Sequence, residues 1–149
     1  MNPFVLATRS LVGVVATAAF CLSVSQAAVS DIVVVVNKDN PITSISQKEG
    51  KKIFLGVSRH FQHGAKIDLV DQNGSSELRG EFYSLIAEKT VSQINSRWAG
   101  LIFSGEAIPP DQVDNSAEVI KWLEDHPNGI GYIDSAFIDD RVKTILTLR

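Results

Sequence analysis

The chain has 149 residues, with 14 basic and 17 acidic side chains and a formal net charge of −3 at pH 7. This balance argues against a nucleic-acid partner, which would require a basic face. Cys21 is the single cysteine. An intramolecular disulfide and a metal site built from several cysteines are therefore excluded.

The N-terminal 27 residues have the pattern of a cleavable signal peptide. Arg9 gives a short basic start, and an uncharged apolar run follows from residue 11 to residue 22. Ser25 and Ala27 fit the two small-residue positions of a signal-peptidase site. We therefore expect cleavage after Ala27 and secretion of the mature chain to the periplasm.

Two alternatives to a cleaved signal peptide are disfavoured. A retained membrane anchor would need a longer apolar run to cross a hydrocarbon core of about 30 Å. A lipoprotein would need a small residue before Cys21, where the chain has Phe20. The expected mature chain, residues 28–149, has about 120 residues, which is an ordinary size for one domain with one core.

The first predicted strand is a run of β-branched residues at 31–36. Such a run is typical of a strand that is buried on both faces, as in a parallel sheet. Pro41 marks a loop. Ser46 and Glu49 then have the spacing of a capping box, which predicts a helix that begins at Ser46 and ends near Gly56.

A second strand is predicted at residues 66–70, and the turn at 74–76 leads from it into a helix. This helix carries one apolar stripe at spacings of i, i+4, i+7 and i+8, formed by Leu78, Phe82, Leu85 and Ile86. A further short helix is indicated by the spacing of Val91, Ile94 and Trp98.

The last third of the chain predicts a loop, a helix and two strands. Pro109 and Pro110 mark the loop, and Asn115 or Ser116 caps a helix that ends at residues 127–129. The inward-facing residues of this helix are expected to be Val119, Ile120 and Leu123. Strands are predicted at Ile130–Asp134 and Val142–Leu148.

The alternation of strands and helices predicts an α/β fold, a three-layer sandwich with a mostly parallel sheet. Right-handed crossovers would place helices on both faces of the sheet. The residues expected in the core are Val33, Val35, Leu69, Phe82, Leu85, Ile120, Leu123 and Ile130.

The segment between the second strand and its helix is the candidate binding site, because ligands of open α/β sheets bind at the carboxyl edge. Gly74 permits a tight turn, and Ser75 and Ser76 stand where free helix N–H groups form an anion site. Arg79 lies on the same helix face as Ser75, and its side chain leans back toward the turn, where it could hold an oxyanion bidentately. The alternative is a structural turn, with Ser75 as an N-cap and Arg79 as a surface residue.

Other candidate chemistry is weaker. His60 and His63 are three residues apart but lack further ligands in a metal-site pattern, so we expect solvated loop histidines. Trp98 and Trp122 are expected in the core rather than stacked on a sugar or base. The sequence has no nucleophile elbow and no phosphate-binding Gly-Lys loop. We therefore expect no enzymatic activity, no cofactor and no metal.

Several motifs occur in a fixed order along the chain. These are Ile53-Phe54-Leu55-Gly56 after the capped helix, the Gly74-Ser75-Ser76 turn with Phe82 behind it, and Pro127-Asn128-Gly129-Ile130-Gly131-Tyr132. Together they resemble the substrate-binding proteins of phosphate ABC transporters, and most closely the short secreted members of that superfamily. The likeness runs from Ile32 to about Leu148.

The resemblance implies one lobe of a type II periplasmic binding protein and, as partners, phosphate or a similar oxyanion together with an ABC transporter permease or another envelope protein. Two departures qualify it. Full-length phosphate-binding proteins close two lobes on the anion, whereas this chain has the length of one. The family's anion loop also resembles Arg-x-x-Gly-Ser-Gly-Thr, where this chain has Asp71, Gly74, Ser75, Ser76 and Glu77 at the defined positions. Ser75 is retained, and Arg79 would supply a guanidinium from another position.

The sequence therefore favours a periplasmic solute-binding domain for a small oxyanion, most of all phosphate, in connection with ABC-type phosphate uptake. The alternative is a non-catalytic protein-interaction module, either a homodimer or an accessory subunit of an envelope complex. A lone lobe exposes the surface that a second lobe would cover, and such a surface often becomes an interface.

Overall fold

The computed structural model describes residues 30–149, and the predicted signal peptide, residues 1–27, lies outside them. The strands are β1 (Ile32–Asn37), β2 (Asp68–Gln72), β3 (Asp111–Val113), β4 (Gly129–Asp134) and β5 (Val142–Leu148). The helices are α1 (Gln47–Phe54), α2 (Glu77–Ala87), α3 (Val91–Phe103) and α4 (Ser116–Glu124), and a short 3-10 helix spans Ser135–Phe137. None of the helices within residues 30–149 has the length and hydrophobicity that a bilayer-spanning helix needs.

The strands form one sheet in the order β3-β2-β4-β1-β5. β2 runs parallel to β3 and to β4, whereas β1 is antiparallel to both of its neighbours, β4 and β5. Four strands therefore point in one direction, and the predicted α/β sandwich with a mostly parallel sheet is confirmed. The parallel setting expected for β1 was wrong, because a run of valines reports burial on both faces and not strand direction.

Alternate residues of β1 contribute to the two layers of the core. Val34 and Val36 belong to the larger cluster, which includes residues of α1, α2 and α3. Val33 and Val35 belong to the smaller cluster, which α4 completes. The helices thus cover both faces of the sheet, as the predicted crossovers require.

An aromatic cluster fixes α2 against the sheet. The Phe82 ring stacks on the Tyr132 ring of β4 with centroids 3.7 Å apart, and it meets the edge of Phe54 of α1 at 4.7 Å. Both contacts lie in the larger core cluster. They attach the middle of α2 to β4 and to α1.

The predicted core is confirmed in most positions. Leu69 and Leu85 are half-buried rather than buried, because each packs at the periphery of the larger cluster. The remaining predicted core residues are buried, and they are Val33, Val35, Phe82, Ile120, Leu123 and Ile130.

The helix termini largely follow the predicted signals. Ser46 and Glu49 form the expected capping box at α1. Gly56 follows α1 with a φ of +72°, and a Cβ there would lie 2.9 Å from Leu101. Four elements differ from the predictions. α3 is not short but extends to Phe103, and β3 occupies part of a segment predicted as a loop. β2 lies at Asp68–Gln72 rather than 66–70, and α4 ends at Glu124 rather than at 127–129.

Candidate functional site

The segments that follow β2, β3 and β4 meet at one edge of the sheet, because these three strands are parallel. The Nδ2 atom of Asn73, after β2, donates a hydrogen bond of 2.6 Å to Oδ1 of Asp114, after β3. Asp134, at the end of β4, receives the Oγ hydrogen of Ser30 at 2.7 Å. The predicted turn therefore lies at the carboxyl edge, where open α/β sheets bind ligands.

The two serines of the turn are held by the residues that end β2. The Oγ atom and the backbone N–H of Ser75 both donate to Oδ1 of Asn73, at 2.6 and 3.0 Å. The Oγ atom of Ser76 donates to Oε1 of Gln72 at 2.7 Å. Gly74 and Ser75 are exposed, and no atom lies within 4 Å of the position that a Cβ on Gly74 would occupy.

Because Ser76 bonds to Gln72, it does not cap the helix that it precedes. Ser76 has the extended conformation of an N-cap residue, but its side chain makes no capping bond to α2. The other three α-helices are capped by side chains of Ser46, Thr90 and Asn115. In the described part of the chain, α2 is thus the one α-helix whose first-turn N–H groups lack a side-chain acceptor, and such groups attract anions.

The structure does not bring Arg79 to this turn. The Arg79 Nε atom donates to Oδ2 of Asp71 at 3.0 Å, and Nη2 donates to Oδ1 of Asn95 at 3.0 Å. The ion pair is enclosed, with side-chain exposures of 3% for Arg79 and 0% for Asp71. Arg79 is therefore not the surface residue of the structural alternative, and Asp71 does not face the turn.

Two tyrosines complete the surroundings of the Asp71 carboxylate. The Tyr132 hydroxyl donates to Oδ1 at 2.6 Å, and the Tyr83 hydroxyl donates to Oδ2 at 3.0 Å. The Arg79 guanidinium carbon also lies 5.4 Å from the centre of the Tyr83 ring, a cation–π distance. The guanidinium, the carboxylate and the two phenols form one buried network, which we call the Asp71 network.

Burial is the largest influence on the pKa of the two tyrosine hydroxyls in the Asp71 network. Desolvation raises the pKa of Tyr83 and of Tyr132 well above the usual range, and the negative charge of Asp71 raises both further. The nearby positive charge of Arg79 acts on Tyr83 in the opposite direction. The network is thus a neutral pair of phenols around one ion pair at ordinary pH.

Two acidic side chains, Glu77 and Asp114, lie near the turn. Glu77 is exposed in the first turn of α2, and Asp114 is tied to Asn73. An anion at the turn would therefore meet backbone N–H donors, whereas the Arg79 guanidinium is paired with Asp71. This arrangement permits weak and exchangeable anion binding.

The remaining predicted residues lie elsewhere. His60 and His63 are exposed, and within residues 30–149 no group of three or more His, Cys, Asp or Glu side chains is arranged to hold a metal ion. Trp98 is buried, but Trp122 is half-buried and donates its Nε1–H to Asp111 at 3.0 Å. The core role expected for Trp122 is therefore only partly correct.

Sequence reasoning missed the residues that set the geometry of the turn. Gln72 and Asn73 hold the serines, and the signal for them in the sequence was two consecutive amide side chains where β2 ends. The partner of Arg79 was also missed. An acidic residue at a buried strand position, such as Asp71 directly after Val70 in β2, indicates a buried partner, because an unpaired charge there is too costly.

Comparison with solved structures places this fold among phosphate receptors. An ABC-type phosphate transport receptor from Vibrio cholerae superposes with a TM-score of 0.62 and 21% identity, over 78% of this chain and 46% of the receptor. A putative phosphate ABC transporter substrate-binding protein from Clostridium perfringens, solved with bound phosphate, gives 0.63 and 21%, over 78% of this chain and 44% of its own. PstS from Borrelia burgdorferi gives 0.62 and 19%, over 78% and 46%.

The chain has the fold of part of a phosphate-binding receptor. It spans less than half the length of the receptors that it matches. No protein-family model and no curated protein sequence matches it. The predicted resemblance to phosphate ABC transporter substrate-binding proteins is thereby confirmed as a likeness of fold.

Proposed function

We propose that this protein binds a small oxyanion, phosphate above all, at the first turn of α2. The observation that carries the proposal is the first turn of α2, which has no side-chain cap and lies beside the exposed Gly74 and Ser75. The fold supports it, because one of the matching structures contains phosphate. The proposed donors are the backbone N–H groups of Glu77 and Leu78, because the hydroxyl hydrogens of Ser75 and Ser76 are already donated to Asn73 and Gln72.

The expected affinity follows from the kind of donors present. A hydrogen bond to a charged group contributes about 1.5–3 kcal/mol, and association itself costs several kcal/mol of lost freedom. Two such bonds without a cation contribute at most about 6 kcal/mol. Once part of the association cost is subtracted, we expect about 4 kcal/mol, which corresponds to a Kd of about 1 mM. Arg79 has a supporting role in this proposal, because it holds α2 through Asp71 and does not contact the anion.

A pair of substitutions at Glu77 tests the backbone contact directly. Glu77→Gln removes a nearby negative charge and keeps the N–H, so phosphate should bind more tightly than to the parent protein. Glu77→Pro removes the charge and the N–H together. Proline is favoured at the first helical position, and the extended conformation of Ser76, with φ −74° and ψ 119°, suits a residue before proline.

Phosphate titration by calorimetry at fixed ionic strength should rank the variants. We expect Glu77→Gln to bind best and Glu77→Pro to bind about tenfold more weakly than Glu77→Gln, which corresponds to the loss of one charge-assisted bond. Equal affinities for the two variants would contradict the proposed site. No binding by the parent protein or by Glu77→Gln at 20 mM phosphate, on the order of twenty times the expected Kd, would contradict the function.

We also propose that the mature protein is periplasmic and serves ABC-type phosphate uptake. The signal-peptide pattern of residues 1–27 and the fold shared with ABC-type receptors support this proposal. The intact mass of the protein recovered from the periplasm should correspond to a chain that begins at Ala28. A mass that includes residues 1–27, or a lipid on Cys21, would contradict the proposal.

A second candidate function is self-association as an interaction module. Large apolar side chains are exposed where α1 and α3 end: Phe103 is 96% exposed, Ile108 76% and Val57 59%. A second copy of the chain would cover these side chains. Sedimentation velocity should then show a dimer that Phe103→Ser dissociates, and a parent protein that is monomeric at all concentrations would contradict this function.

A further inference from the structure

A cleft lies at the opposite edge of the sheet from the anion turn. It opens beside the amino ends of β2 and β3 and has a volume of about 280 Å³. The segment from Ala107 to Asp111, which precedes β3, forms one side, and Trp122 and His126 of the α4 end form another. We call this depression the indole cleft, because both tryptophans of the chain, Trp98 and Trp122, line it.

The interior of the indole cleft is apolar and its aromatic wall is rigid. Its lining includes Ile53, Ile67, Leu69 and Trp98, with Ile108, Pro109 and Pro110 across from them. The Trp122 ring stacks on the His126 ring with centroids 3.7 Å apart and an interplanar angle of 6°. The bond from Trp122 Nε1 to Asp111 fixes the indole further, so the wall is preorganised for an apolar group.

Charged groups of both signs surround this apolar interior. Arg59 and Lys66 are both in the lining: Arg59 lies across from Ile67, whose N–H bonds to the Arg59 carbonyl, and Lys66 pairs with His60 at the next position. Asp68, at the start of β2, lies beside them in the lining, and all three side chains are exposed. Within residues 30–149, none of the three takes part in an ion pair.

We propose that the indole cleft binds a small zwitterion with an apolar body, namely a free apolar amino acid such as leucine. The ligand carboxylate would pair with Arg59 and Lys66, its ammonium group with Asp68, and its side chain with the apolar interior. The volume fits a molecule of this size, since it lies at the lower end of the range for small-molecule pockets. An inorganic anion would make no contact with the apolar interior, and a simple hydrocarbon would make no contact with the charged groups.

The two tryptophans make the binding directly observable. Because the chain has two tryptophans and both line the cleft, all tryptophan emission reports on this site. We expect L-leucine to shift or quench the emission of the mature protein in a saturable way. Three analogues that each lack one part of leucine should bind at least tenfold more weakly: glycine lacks the side chain, isoamylamine the carboxylate and 4-methylpentanoate the ammonium group.

Substitutions on the exposed rim test the charge pairing without altering the core. Arg59→Gln and Lys66→Gln should weaken leucine binding at least fivefold each and leave isoamylamine binding unchanged. Asp68→Asn should weaken the binding of leucine and of isoamylamine together. Lys48→Gln, on a residue of α1 that does not line the cleft, is the matched control and should bind leucine as the parent protein does.

Several outcomes would overturn the proposal. These are the absence of any emission change at 20 mM leucine, binding of any one of the three analogues as tightly as leucine, and tighter binding of leucyl peptides than of leucine. The last result would identify a peptide segment as the occupant. Phosphate titration of Arg59→Gln should match that of the parent protein, so the outcome at the cleft is independent of the outcome at the anion turn.

Discussion

Substitution of Arg79 by methionine separates a structural role of this residue from a role in anion binding. Methionine keeps much of the length and apolar character of the arginine side chain and removes the guanidinium. In the parent protein this group bonds to Asp71 and Asn95, each at 3.0 Å, in an enclosed ion pair. Arg79→Met therefore leaves a fully buried carboxylate without its opposite charge.

The size of the effect can be estimated from the remaining contacts of that carboxylate. Removal of one partner of a buried ion pair costs about 3–5 kcal/mol. Asp71 keeps the hydroxyls of Tyr83 and Tyr132 and the N–H of Gln72, at 3.0, 2.6 and 2.8 Å. These donors partly compensate the charge, so we expect the lower end of the range, a loss of about 3 kcal/mol in the free energy of unfolding.

Urea denaturation followed by far-UV circular dichroism measures this loss. Arg97→Met is the matched control, because Arg97 is half-buried and donates one hydrogen bond, from Nε to the carbonyl of Leu55 at 2.7 Å. It should lose about 1 kcal/mol. In the double variant Asp71→Asn/Arg79→Met, the total loss should be smaller than the sum of the two single losses, since neither charge remains buried.

One result would refute the structural role of Arg79. If Arg79→Met destabilises the fold by less than about 1 kcal/mol and at the same time abolishes phosphate binding, then the guanidinium reaches the anion as the sequence predicts. In that case the Arg79 side chain would not be bonded to Asp71. We expect the opposite result, in which stability falls and the folded fraction still binds phosphate.

Three further predictions concern stability and titration. Phe82→Ala should lower the free energy of unfolding by about 3–5 kcal/mol in urea denaturation, because it empties the space between Phe54 and Tyr132. A loss under about 1 kcal/mol would show that the stacking is not formed. The two tyrosines of the chain, Tyr83 and Tyr132, should show no tyrosinate absorbance in the folded state near pH 10, because both pKa values are raised in the folded state. For the same reason the free energy of unfolding should fall above that pH. A two-proton titration of the folded protein near pH 10 would contradict this. Asn115→Ala should cost about 1 kcal/mol in the same denaturation assay through loss of its bond to the N–H of Glu118, and an unchanged midpoint would contradict the cap.

Local signals in the sequence were sufficient for the elements whose structure is decided locally. The capping box at Ser46 and the apolar stripe around Phe82 each depend on residues three or four apart, and both are present. β3 was not predictable in this way, because its three residues are partly or fully exposed and pair in parallel with β2. The direction of β1 likewise depends on its partners β4 and β5, which lie about a hundred residues away.

The same distinction applies to the candidate site. The Gly74–Ser76 turn was predictable because a strand, a glycine and a helix start follow each other directly. The orientation of Arg79 was not, because spacing from Ser75 defines a helix face but not the acceptor. Asp71 lies eight residues before Arg79, and only the packing of Tyr83 and Tyr132 around it makes that acceptor more favourable than solvent.

The most direct test of the central claim is the response of individual backbone amides to phosphate. In a series of nitrogen–proton correlation spectra of the mature protein, the amide signals of Glu77 and Leu78 should shift progressively and saturate with a Kd of about 1 mM. Matched additions of sodium chloride at the same ionic strength should leave them in place. Saturable shifts at other amides, with Glu77 and Leu78 unmoved, would contradict an oxyanion site at the first turn of α2.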